Sequence, residues 1–135
     1  MDIQIAVLCD AATEYSGKLN ILGAFDTVVT AQLPQCSIAI RMTFDKGEEG
    51  RHTVKLNLID EDGRSIIPMI EFPLNIAVPE EAVFTSLNFI VNIQKLKFER
   101  SGLHSLEISV DGRREGNIPL HVRIPPATTK KVVND

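Results

Sequence analysis

The chain has 135 residues, 44% of them hydrophobic and 24% charged, with 14 Lys and Arg against 18 Asp and Glu for a formal net charge of −4. That length suits one domain whose core needs no disulfide staples. The acidic balance, with no basic cluster beyond the pairs Arg113-Arg114 and Lys130-Lys131, excludes a nucleic-acid footprint, and no apolar run approaches a membrane-spanning helix.

The opening MDIQIAVL carries an acid at position 2 and no positive n-region, so no secretory signal is expected and the compartment reads as cytoplasmic. From there the dominant period is two. Ile3, Ile5, Val7 and Cys9 alternate through a first strand at 3–10, which predicts that Cys9 points inward. DAATEYSGK then supplies a turn, and Leu19 and Ile21 begin a return strand at 18–25, where Gly23 suggests a bulge. In SIAIRMTF, Ile38, Ile40, Met42 and Phe44 share one face of a strand at 37–44. Val54, Leu56 and Leu58 do the same at 52–60, ahead of the turn DEDG.

The next strand, 65–76, holds Pro68 and Pro73, which confine it to a sheet edge. Leu87, Phe89, Val91 and Ile93 alternate with Asn88, Asn92 and Gln94 through a strand at 84–94, after which QKLKFERS is ambiguous between strand and one helical turn. Strands at 103–110 and 117–124 follow, joined across the Asp111-Gly112 hairpin signal. Eight such segments punctuated by glycines predict an all-β fold, an antiparallel β-sandwich of about eight strands with immunoglobulin-like architecture. The domain spans 1–124, and the Pro-led segment 125–135 reads as a flexible tail.

Catalytic constellations do not assemble on this framework. Cys9 has no histidine near it in sequence, and two cysteines on apolar strands read as a reduced, buried pair. Gly17-Lys18 lacks the glycine five positions earlier that a phosphate loop requires. His104 and Ser105 are adjacent on a strand and point to opposite faces, and no GxSxG elbow is present. His104 instead suits the hydrogen-bonding aromatic found at sandwich corners, and His121 is expected to face solvent. No catalytic residue and no cofactor are assigned.

Acid placement is the remaining signal. If eight strands alternate in direction, the turns DAATEYSG, DKGEEGR, PEEA and DGRREG share one pole. Asp10, Asp45, Glu48, Glu49 and Asp111 are then candidate ligands for calcium, a hard ion that takes six to eight oxygens. Calcium or a small ligand at this acidic pole is the alternative function. The leading one is a non-enzymatic protein-interaction module that uses loops of one pole or the Pro68–Ile76 edge, its partner another protein or a second copy of the chain.

Two stretches carry a family resemblance. VLCDAATEYSGKLNILGAFDTV, through Cys9-Asp10 and Gly17-Lys18-Leu19-Asn20-Ile21-Leu22-Gly23, and SGLHSLEISVDGRREGNIPLHV, through its alternating strand and Asp-Gly hairpin, resemble an uncharacterised bacterial family known only as a domain of unknown function. The resemblance extends to about residue 124. It implies a bacterial β-sandwich and transfers no catalytic or binding residue.

Overall fold

A computed structural model describes residues 1–126 of the chain, so the expected tail lies, from residue 127 on, outside the described residues. Among the described residues nine strands follow one another: β1 (Asp2–Tyr15), β2 (Lys18–Phe25), β3 (Thr27–Val28), β4 (Gln32–Asp45), β5 (Gly50–Ile59), β6 (Ile70–Ile76), β7 (Phe84–Lys97), β8 (Gly102–Val110) and β9 (Arg113–Val122). They form a four-stranded sheet in the order β2-β1-β4-β7 and a five-stranded sheet in the order β3-β9-β8-β5-β6. Every pairing is antiparallel except that of β3 with β9. No helix among the described residues is long and apolar enough to cross a membrane.

The period of two decides which side chains meet between the sheets. Ile38, Ile40, Met42 and Phe44 of β4 face Val54, Leu56 and Leu58 of β5 and Leu106, Ile108 and Leu120 of β8 and β9 in one buried cluster. Burying each such side chain contributes about 1.5–3 kcal/mol, enough over a dozen of them to fix which face of each strand turns inward. Two of the hairpins close as their residues demand. Ser16-Gly17 and Asp111-Gly112 both have positive φ at each position, the geometry of two-residue turns whose twist matches the strands they join.

The strands depart from the sequence expectation in several places, β1 running on to Tyr15 through most of the expected turn DAATEYSGK and β4 beginning already at Gln32. β3, only two residues long, was too short to give an alternating pattern and brings the number to nine. The expected strand 65–76 begins only at Ile70, because the turn after Asp60 uses the preceding residues and leaves a single bridge from Ile59 to Ser65. QKLKFERS continues β7 to Lys97 rather than forming a helical turn. Finally, the β1–β2 register runs straight through Gly23, where a bulge was expected, and register shifts fall instead between Ile108 and Ser109 of β8 and between Ile3 and Ile5 of β1.

That bulge has consequences for the faces of β1. Ile3 turns inward opposite Met42, one residue is absorbed, and Ala6 and Leu8 then take the inner face opposite Ile40 and Ile38. Ile5, Val7 and Cys9 are left on the outer face, opposite Arg41, Ala39 and Ser37. Cys9 therefore does not point into the core as the uninterrupted alternation predicts. It is nevertheless completely buried, as is Ala39, and Ser37 nearly so.

The cover over this outer face is the β1–β2 hairpin itself. β1 runs past the last residue it pairs with β4, bends, and returns its turn across the sheet. The Gly17 carbonyl accepts from Arg41 Nη1 at 3.0 Å and from Asn88 Nδ2 at 3.1 Å, and the Glu14 carboxylate accepts from Asn88 Nδ2 at 2.9 Å. At the bend Gly23 has φ +69°, and a Cβ there would collide with the Asp10 carboxylate lying across it. Only glycine meets both demands.

Candidate functional site

The pole at the end of β4 gathers most of the acidic candidates. Chain direction explains which ones. β4 ends there, β5 begins there, and the β8–β9 hairpin turns there, so Asp45, Glu48, Glu49 and Asp111 come to one end of the sandwich. Asp10 does not. The unforeseen β3 shifts the parity of every later strand relative to β1, so β1 runs toward the opposite pole, and Asp10 sits inside the strand at the hairpin bend rather than in a turn.

Three of the four carboxylates that do gather are engaged with different partners. Glu48 closes the single 3-10 turn Lys46–Glu48, accepting from the Asp45 amide at 3.0 Å and from the Met1 amine at 2.5 Å. Glu49 accepts from the Val78 amide at 2.8 Å. Asp111 accepts from the Thr53 amide at 2.9 Å and from His52 Nδ1 at 2.6 Å. Among the described residues no group of three or more His, Cys, Asp or Glu is arranged to hold a metal ion. Of the expected calcium set Asp10, Asp45, Glu48, Glu49 and Asp111, one member lies elsewhere and three accept from the chain's own N–H groups.

His52 is the centre of what remains. Its Nε2 lies 2.6 Å from the Glu48 carbonyl while Nδ1 faces Asp111, and its ring packs on Phe44 at 5.6 Å. Two acceptors on two ring nitrogens require both to carry protons. The Glu48 carbonyl first, and Asp111 second, hold the His52 pKa above its ordinary value, and His52 in turn holds the Asp111 carboxyl below the usual range. The Met1 amine likewise lowers Glu48 and is raised by it. Chemically this is a staple. No lone pair of His52 is left to act as a base.

The opposite pole holds a polar cleft of about 280 Å³ lined by Asp60, Arg64, Lys97, Glu99, Arg100 and His104 among others. Two of its lining charges, and Glu61 beside it, are engaged within the chain. Asp60 caps its own turn by accepting from the Asp62 and Arg64 amides, Arg100 pairs with Asp62, and Glu61 accepts from the Leu103 amide. His104 is 2% exposed, its Nδ1 3.1 Å from the Gly102 carbonyl and its ring edge-on to Phe98. It is a core side chain at the start of β8, while His121 on β9 is exposed.

Neither cysteine offers a nucleophile. Both are free and buried. Burial pushes both thiols up, Cys36 to about 11, so the thiolate is suppressed at neutral pH.

The free strand edges are a different kind of site, and β7 is the one that sequence reasoning missed. The expected edge, β6, is indeed at the margin of its sheet, but Pro73 lies in its middle beside Glu71. β7 closes the other sheet and is fourteen residues long. From Phe84 to Gln94 it carries no charge, proline or glycine, the three devices that usually blunt an edge. Val83 and Phe84 at its start are exposed. The uncharged run was legible in the sequence, whereas its position at an edge was not.

Residues 4–123 match the model of a family described as "Family of unknown function (DUF6941)". No curated protein and no solved structure matches the chain.

Proposed function

Because the chain belongs to this family of unknown function, matching it over residues 4–123, no activity comes to it by inheritance, and we propose from its own geometry that it is a non-enzymatic protein-interaction module. The observation that carries this is the β7 edge. Its backbone N–H and C=O groups on the free side are an open template for another strand, and neither charge nor proline guards them. Support for a non-enzymatic role comes from the engaged ring nitrogens of His52, the buried thiols and the internally paired carboxylates.

The same reading takes the architecture as immunoglobulin-like. What supports it is that β4 pairs with β7 in one sheet and β5 with β8 in the other, while the connections β4 to β5 and β7 to β8 both cross between sheets. It also places the chain in a reducing compartment, in keeping with two free cysteines that never meet as a disulfide.

The test is capture from native lysate by the tagged chain, run beside Ile90→Lys at the β7 edge and Glu80→Gln at the acidic pole. A specific protein kept by the pole variant and lost by Ile90→Lys, with unchanged circular dichroism, is expected. Capture that survives the edge variant overturns the assignment of the surface to β7.

A further inference from the structure

The exposed edge also carries a symmetry. From Ser86 to Gln94 the sequence reads Ser-Leu-Asn-Phe-Ile-Val-Asn-Ile-Gln, and residues equidistant from Ile90 match in kind. Phe89 answers Val91, Asn88 answers Asn92, Leu87 answers Ile93, and Ser86 answers Gln94. We propose that β7 pairs antiparallel with β7 of a second copy about a two-fold axis at Ile90, joining two four-stranded sheets into one of eight strands. The proposal rests on the reading of β7 as the interaction surface and names its occupant.

In an antiparallel pair, directly opposite residues share a face and touch. A two-fold interface is self-complementary, so residue i meets j and j meets i. With the axis at Ile90, Leu87 and Phe89, half-buried against the core, meet Ile93 and Val91, which are half-buried against the same core in the other copy. On the outer face Asn88 meets Asn92. Asn92 receives Ser37 Oγ on its Oδ1 at 2.7 Å, and among the described residues its Nδ2 has no protein acceptor, leaving it free to donate across the axis.

Other registers do not match. A slip of one residue on one strand sets the apolar face against the polar one. Moving the axis to Val91 brings Lys95 onto Leu87, and moving it to Phe89 sets Asn88 against Ile90. At the chosen axis Lys95 and Lys97 fall opposite Thr85 and Val83, so no like charges face one another. Lys95 has φ +55°, which ends the straight run just past Gln94 and bounds the paired segment. Pairing over this segment, about 30 Å at 3.4 Å per residue, gives a contact at the small end of specific interfaces, so the dimer exchanges with monomer.

The experiment is light scattering after gel filtration over a dilution series, together with oxidative cross-linking of single cysteine variants. The buried Cys9 and Cys36 stay in place. Mass is expected to rise with concentration from 14.9 kDa toward twice that value. Ile90→Cys is expected to cross-link to itself, Ser86→Cys and Gln94→Cys to cross-link when mixed but not separately, and Ile90→Lys to remain monomeric at every concentration. A chain that stays monomeric with no Ile90→Cys cross-link overturns the proposal, as does a dimer that survives Ile90→Lys and cross-links at neither position. In that case, lysate capture lost in Ile90→Lys leaves the interaction module standing with a different partner. Capture unaffected by that variant removes both.

Discussion

His52 and Asp111 show how one residue type acquires a role from its surroundings. Asp111 sits at φ +52° in the tight turn, a conformation that aspartate and asparagine tolerate better than most side chains. Asp111→Asn therefore keeps the turn and removes the charge. It is expected to lower stability by about 1 kcal/mol, the charge-assisted bond being discounted because the Asp111 side chain is 49% exposed. The pH dependence has a definite sign. The raised pKa of His52 gives stability that is complete below its ordinary value of 6.5 and is lost as pH rises through the higher folded value. The lowered pKa of Asp111 gives stability present above 3.8 and lost as pH falls through the lower folded value. Melting temperature should therefore fall as pH rises above about 6.5 in the wild type and fall less in His52→Gln. The Met1–Glu48 pair does not interfere, since its amine is raised above 8.0 and loses its proton only beyond that value. Equal slopes in the two proteins would show that His52 is not the titrating staple.

At the scale of elements, the returning β1–β2 hairpin makes a small third layer over part of the outer sheet face. Leu19 and Ile21 of β2 and Val7 and Ile90 of the sheet are half-buried, and none of them belongs to the central core. The tip is held by Arg41 and Asn88 rather than by ladder bonds. Arg41→Ala removes one of those ties and the bond from its Nε to Gln4. It should leave the two main sheets intact while letting the hairpin open more often, because few apolar contacts resist local opening. Thiol labelling of the native protein reads this directly. Cys9, on the covered outer face, is expected to label faster in Arg41→Ala, while Cys36, inside the core, stays protected. Equal acceleration of both would mean that the variant loosens the whole sandwich instead.

For the molecule as a whole, the arrangement of the poles bears on ligand binding. Three carboxylates at the acidic pole already take N–H donors from the Met1 amine, Val78, Thr53 and His52, and Asp10 lies inside β1, away from that pole. A calcium ion would have to displace those donors to collect six oxygens. Millimolar calcium is therefore expected to leave the melting temperature unchanged, since a ligand shifts it only by binding the folded state. A rise of several degrees that Asp45→Asn abolishes would establish the metal-binding reading instead. Association belongs to this scale too, because the β7 edge becomes a surface only once β4 has paired with its other side.

Alternation in SIAIRMTF, HTVKLNLID, HSLEISVDG and IPLHVRI was enough, by itself, to give two-faced strands, an all-β fold and most of the core. Each side chain on a strand is assigned to a face by local geometry, and burial rewards only one phase. The Asp111-Gly112 turn was equally legible, because only certain residues accept positive φ at both positions. The sequence also displayed the uncharged, near-symmetric run of β7. Three things were decided only by tertiary structure. The bulge between Ile3 and Ile5 reversed the face of Cys9, through a register set by the partner strand β4. The two-residue β3 exists by its pairing with β9 and, by changing the parity, removed Asp10 from the acidic pole. Whether β6 or β7 offers the open edge depended on sheet order, a long-range outcome of which strands meet, and no local pattern encodes it.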